Sequence, residues 1–126
     1  MRFVYALVMM VLTHGIAYAH ELTPTYFELR PSIYNNVYLT DMTIFNRRED
    51  VRFYQIEVYD KDWNPVSFAT SERIMEMRYL ERRKFEIYIK KDDLDRVTYI
   101  CTRSKLLKGG GPTVIASNIC SKIKAP

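Results

Sequence analysis

Apolar and polar positions alternate with a period of two along much of this chain, which is the pattern of half-buried β-strands rather than of helices. In Val37–Phe45, Val37, Leu39, Thr43 and Phe45 share one side, and Tyr38, Thr40, Met42 and Ile44 the other. In Val51–Tyr59, Tyr54, Ile56 and Val58 fall on one face. Phe85, Ile87 and Ile89 alternate with Glu86, Tyr88 and Lys90, and Val97, Tyr99 and Cys101 alternate with Thr98, Ile100 and Thr102. Shorter strands are predicted at Thr25–Leu29, after Pro24, and at Val66–Ala69, and a last one at Thr113–Lys124. Turn residues separate these segments at Asn46–Asp50, Asp60–Pro65 and Asp92–Asp95. About seven short strands so spaced predict an all-β sandwich. One segment breaks the pattern. Ser71–Leu80 opens on a capping residue and continues in good helix formers, so it predicts a short helix between strands.

The first 19 residues follow a different rule. Arg2 precedes an apolar run from Phe3 to Leu12, and Ala17-Tyr18-Ala19 is a small-residue cleavage site. That layout predicts a secretory signal peptide, with an uncleaved anchor as the alternative. A membrane-spanning helix needs about 20 apolar residues, and this run is roughly half of that. Cleavage after Ala19 leaves one domain, residues 20–126, and predicts a periplasmic or otherwise secreted protein with no stable membrane insertion. At 48% hydrophobic and 27% charged residues, the composition is that of a globular chain.

Charge and chemistry then narrow the function classes. The net charge is +4, or +3 once Arg2 is removed with the signal. Basic and acidic residues are interspersed, as in Arg47-Arg48-Glu49-Asp50 and Glu81-Arg82-Arg83-Lys84-Phe85-Glu86. Nucleic-acid binders cluster their cations on a stripe, so no nucleic acid is expected. Of two histidines, His14 lies in the signal. His20 would begin the mature chain, where its amine and imidazole could together chelate copper. With no second histidine to complete a site, it reads as a residue of the signal junction, and no metal is expected. Gly109-Gly110-Gly111 lacks the lysine and helix of a phosphate loop. No carboxylate pair sits in an apolar setting. The chain predicts neither an enzyme nor a cofactor.

Cys101 and Cys120 are the two cysteines, and an even count in an exported chain predicts a disulfide. It would join the last two strands and close a loop of about 20 residues, worth roughly 3 kcal/mol in the chain-entropy account. The connection Ser104–Pro112, with Lys105, Lys108 and three glycines, is a candidate contact loop.

Taken together these segments carry a resemblance. Leu22-Thr23-Pro24-Thr25-Tyr26 is similar to the opening strand of the periplasmic pilus-assembly chaperones, the PapD-like family. Val37-Tyr38-Leu39-Thr40 through Ile44-Phe45-Asn46 resembles the family's second strand, which ends in Asn, and Val51–Asp60 its third strand and turn. Asp95-Arg96-Val97-Thr98-Tyr99-Ile100-Cys101 resembles the approach to its F strand, and Ile119-Cys120-Ser121-Lys122-Ile123-Lys124 its G strand. The likeness is to the N-terminal, immunoglobulin-like domain alone. It implies an immunoglobulin-like sandwich, and its long-loop branch carries a disulfide that Cys101 and Cys120 match.

The resemblance also implies a mechanism. Such chaperones lend the G strand to a pilin subunit that lacks a strand, so backbone hydrogen bonds bind and alternating side chains fit. Val114, Ala116 and Ile119 are the apolar candidates, although Ser117 and Asn118 interrupt their alternation. The alternative is an ordinary edge strand whose apolar residues face its own core. The family also grips the subunit's C-terminal carboxylate with a basic pair. Lys124 matches one member by the Lys-Ile-Lys pattern, and Lys122 matches it if Cys120 sets the register. At the place of the partner arginine stands Tyr26, with Arg30 four positions later. The family's second domain would begin near Ala125-Pro126, where the sequence ends. The expected partners are therefore protein subunits of a surface assembly, bound by a chaperone-like domain. The alternative is a structural or adaptor component of a pilus, secretion machine or phage-related particle.

Overall fold

A computed structural model describes residues 19–105 and 116–125. The signal segment and most of the Ser104–Pro112 connection lie outside the described residues, as does Val114. Two sheets face one another. The first holds β4 (Val37–Phe45) at its centre, with β7 (Arg82–Lys90) antiparallel on one side. On the other side of β4 lie β1 (Glu21–Thr23) and β3 (Arg30–Pro31). The second sheet runs in the order β2 (Tyr26–Phe27), β9 (Asn118–Ile123), β8 (Tyr99–Lys105), β5 (Phe53–Tyr59), β6 (Ile74–Glu76). A 3-10 helix, Lys91–Arg96, joins β7 to β8. The chain is an all-β sandwich, as the alternation predicts. Against a constant-type immunoglobulin domain, whose fourth strand extends the first sheet, β6 here pairs with β5 in the second sheet.

The inward faces are those of the alternating sets. Thr40, Met42 and Ile44 of β4 and Phe85, Ile87 and Ile89 of β7 meet Tyr54, Ile56 and Val58 of β5 and Ile100 and Thr102 of β8, all buried. Leu22 and Phe27 close the core from the first segment, and Ile119 and Ile123 pack against it from β9. Of the predicted strands, Val66–Ala69 forms none. It touches its neighbours only through isolated bridges, Pro65 to Tyr59 and Ala69 to Tyr88.

The helix expected over Ser71–Leu80 is not there. Ile74–Glu76 is a strand on β5, and Met75 and Met77 are both buried at 1% exposure. Residues two apart share a face of a strand but lie far apart around a helix, so only the extended form puts both methionines in the core. Burial and pairing with β5 outweigh helix propensity, which is a weak preference. Leu80, with a φ of 63°, then turns the chain towards β7.

A sandwich must carry its chain between sheets, and at each crossing the peptide groups lose their ladder partners. Two crossings meet at Asn46, which is fully buried. Its Nδ2 donates to the carbonyls of Val51 and Arg78, at 3.0 and 3.1 Å, so one amide spans the crossing after β4 and the crossing before β7. Its Oδ1 accepts from the Arg48 N–H and from the Tyr54 hydroxyl. Its backbone N–H donates to Glu81 and its carbonyl accepts from Leu80. Burial pushes the Tyr54 hydroxyl up to about 12, so it stays protonated and donates.

Removing that amide orphans several buried groups at once, each costing about 1–3 kcal/mol. We expect Asn46→Ala to lower the unfolding free energy by about 3 kcal/mol or more, and Tyr54→Phe by about 1 kcal/mol. Denaturant titration of the two variants checks the order; equal losses would show that Asn46 does not join the crossings.

Candidate partner-binding edge

The last strand is held in place from three directions. Along one edge β9 pairs antiparallel with β8, Cys101 opposite Cys120. The Ile123 N–H donates to the Thr98 carbonyl, and the Ser104 N–H to the Ser117 carbonyl. These bonds make the even-numbered β8 residues the hydrogen-bonded positions and leave Cys101 and Cys120 as a non-hydrogen-bonded pair, where Cα atoms approach most closely. Their Cα atoms are 4.0 Å apart, and the two sulfurs form the expected disulfide. Its side chains project to the face opposite Ile100, Thr102 and Ser121, yet Cys101 is itself fully buried and Cys120 half-buried.

Along the other edge the opening segment covers only the end of β9. β2 runs parallel to it, with Tyr26 opposite Lys122 and Phe27 opposite Ile123. The N–H groups of Lys122 and Lys124 donate to the carbonyls of Thr25 and Phe27. The Ser121 hydroxyl donates to the Pro24 carbonyl at 2.6 Å. Upstream of this the first segment leaves for the other sheet, where β1 pairs with β4. The backbone groups of Asn118 and Cys120 point the same way as those of Lys122, because groups alternate along a strand. Among the described residues no strand pairs with them.

His20 provides the third hold, a role that its place at the signal junction does not foretell. It is 2% exposed. Its ring packs on Tyr54 with centroids 4.6 Å apart. Nε2 lies 3.0 Å from the Thr102 carbonyl and 2.7 Å from the Thr102 hydroxyl, and Nδ1 lies 3.0 Å from the Ser117 hydroxyl. A carbonyl oxygen can only accept, which assigns the proton to Nε2 and makes Nδ1 the acceptor from Ser117. With both nitrogens engaged and the ring buried, the imidazole is a structural part of the sandwich. Among the described residues no group of three or more His, Cys, Asp or Glu could hold a metal ion.

The other predicted residues divide. Ala116 is exposed just ahead of β9. Ile119 packs against the chain's own core, as in an ordinary edge strand. Lys122 is exposed on the outward face between Tyr26 and Tyr99. Lys124 pairs with Glu28 at 3.2 Å. Arg30 belongs to the other sheet, where it pairs with Asp41 at 2.7 Å. Arg30 and Lys124 thus each hold an acidic partner of their own. No protein-family model matches the chain, and no curated protein is significantly similar to it.

Two outcomes follow. Burial holds the His20 ring near a pKa of about 4 against the usual 6.5. A depressed histidine leaves the folded state short of protons relative to the unfolded chain, so stability is full above the unfolded value and declines with acid. We expect the wild-type unfolding midpoint to fall as pH drops from 6.5 to about 4. In His20→Phe that dependence should flatten; identical pH profiles would remove His20 from the account. Separately, the double replacement of Cys101 and Cys120 by Ser should cost about 3 kcal/mol relative to the oxidised protein and nothing relative to the reduced one. Equal melting of oxidised and reduced protein would show that the disulfide does not stabilise the fold.

Proposed function

We propose that this is an exported, chaperone-like binding domain that engages subunits of a surface assembly through the outer edge of β9. The observation that carries this reading is the half-covered edge. The Lys122 N–H donates to the Thr25 carbonyl just ahead of β2, while the outward groups of Asn118 and Cys120 face away from β8 with no strand paired to them among the described residues. An incoming extended segment gains main-chain hydrogen bonds at such an edge. The disulfide and the His20 anchor keep the edge straight before a partner arrives, which lowers the ordering cost of binding. A disulfide-bonded pair also suits an oxidising compartment outside the cytoplasm. The resemblance to the PapD-like chaperones supports the same use of the last strand.

A second reading, a permanent structural or adaptor component, is favoured by the ion pairs Arg30–Asp41 and Lys124–Glu28, which occupy two of the three cations considered for a transient carboxylate grip. The two readings separate on whether the bound subunit is released.

The test uses the direction of one amide. Asn118 sits opposite Arg103 at a non-hydrogen-bonded position, so its N–H faces the open edge. Proline there removes an outward donor without removing a β8–β9 bond. Tagged wild type and Asn118→Pro are expressed in the native host, and proteins recovered with each are identified by mass spectrometry. We expect the wild type to carry an assembly subunit and the variant, with its melting temperature nearly unchanged, to lose it. Equal recovery would place binding elsewhere.

A further inference from the structure

The outward face of the second sheet carries a feature that edge binding does not use. Tyr26 of β2 lies opposite Lys122 of β9, Lys122 opposite Tyr99 of β8, and Tyr99 opposite Tyr59 of β5. Residues in lateral register point to the same face of a sheet. The inward neighbours Phe27, Ile100 and Val58 are buried, which puts all four side chains on the outside. They form one row across four strands, aromatic except for a single cation.

Trp63 completes the row. Its ring stacks on Tyr99, with centroids 4.1 Å apart and planes 2° from parallel, and lies 5.8 Å from Tyr59. One ring face is thus covered by Tyr99, yet the residue stays 52% exposed. The stack is built rather than incidental. Trp63 has a φ of 64° in a turn that Asp60 holds, its Oδ1 accepting from the N–H groups of Asp62 and Asn64. The Trp63 N–H donates to the Asp60 carbonyl. Tyr26 is 62% exposed at the other end of the row.

Charge along this face is also specific. The neighbouring cations are neutralised, Lys124 by Glu28 and Arg103 by Glu57. Lys122 has no ion pair among the described residues. Tyr26 and Tyr99 are separated by two strand spacings, about 10 Å, with the ammonium between them. A pyranose has an apolar C–H face that packs on an aromatic ring and a polar rim that does not. Two such faces with a cation between them fit an extended chain of sugars bearing a carboxylate.

We propose that the row Tyr26–Lys122–Tyr99–Tyr59, capped by Trp63, binds acidic polysaccharide, with sugar rings on Tyr26 and Trp63 and a uronate carboxylate at Lys122. This site shares β9 with the open edge but uses the outward side chains of the sheet, where the edge uses unpaired backbone groups. It gives an exported domain a hold on a charged envelope or matrix polymer.

Trp63 is the one tryptophan of the chain, so its fluorescence reports on this row directly. The full exported chain is titrated with hexagalacturonate, with cellohexaose as the neutral comparison and poly-glutamate as the charge comparison, and calorimetry follows the same additions. We expect hexagalacturonate to change the Trp63 emission, and cellohexaose to bind about tenfold more weakly. Trp63→Ala and Tyr26→Ala, both at exposed positions, should each weaken calorimetric binding about tenfold, and Lys122→Ala should abolish the preference for the acidic sugar. Three results would overturn the proposal. One is no emission change and no heat with hexagalacturonate. Another is equal binding of poly-glutamate, which would mark a surface that reads charge in peptides. The third is binding that survives the combined loss of Trp63 and Tyr26.

Discussion

The side chain of Asn46 is the constraint on which the rest of this sandwich depends. Ladder hydrogen bonds settle the interior of each sheet, but they cannot settle the corners where the chain changes sheet. There, one buried amide meets both crossings, with donors aimed at Val51 and Arg78 and an acceptor aimed at Arg48 and Tyr54. Every polar atom of that side chain is used, which is what makes its burial affordable. The contacts then continue outward. Tyr54, oriented by Asn46, gives its ring to His20. His20 reaches Thr102 on β8 and Ser117 just ahead of β9. A corner between sheets is thereby connected to the strand proposed to meet a partner.

That connection bears on function because β9 has two different halves. Its second half is enclosed by β2 and fixed by the carbonyls of Thr25 and Phe27. Its first half keeps an outer edge, since the opening segment divides itself between the sheets, β1 and β3 on β4 but β2 on β9. Uncovered edges invite unspecific pairing, and proteins usually blunt them. Here the uncovered stretch is short, and the side chains beside it are Asn118, Lys122 and a disulfide rather than a run of apolar residues. A short, rigid, polar edge suits recognition of one partner better than aggregation with many.

Much of this fold was legible in the order of residues, and the failures have physical reasons. β4, β5, β7 and β8 alternate strongly enough that their inward sets, such as Thr40, Met42 and Ile44 or Phe85, Ile87 and Ile89, are the core that forms. β1 and β3 are three and two residues long, too short to show a period. Ser71–Leu80 favours helix locally, but Met75 and Met77 are drawn extended by a core distant in sequence. The disulfide was readable from the count and placement of the cysteines. At the candidate edge, the sequence leaves open whether Ile119 faces a partner or its own core, and the inward turn of Ile119 and the ion pair of Arg30 with Asp41 depend on register and on sheet membership. His20 was beyond reach. A lone histidine gives no sign of burial, and its partners lie 82 and 97 positions away.

The central claim, an open first half of β9, is tested most directly by amide hydrogen exchange of the free protein, read residue by residue. The account predicts slow exchange at Ile119, Ser121 and Ile123, which bond to β8, and at Lys122 and Lys124, which bond to the opening segment. Asn118 and Cys120 should exchange faster by orders of magnitude, as amides outside the ladder do. Protection of Asn118 and Cys120 equal to that of their neighbours would mean that the edge is already covered, and the proposed mode of binding would fall with it.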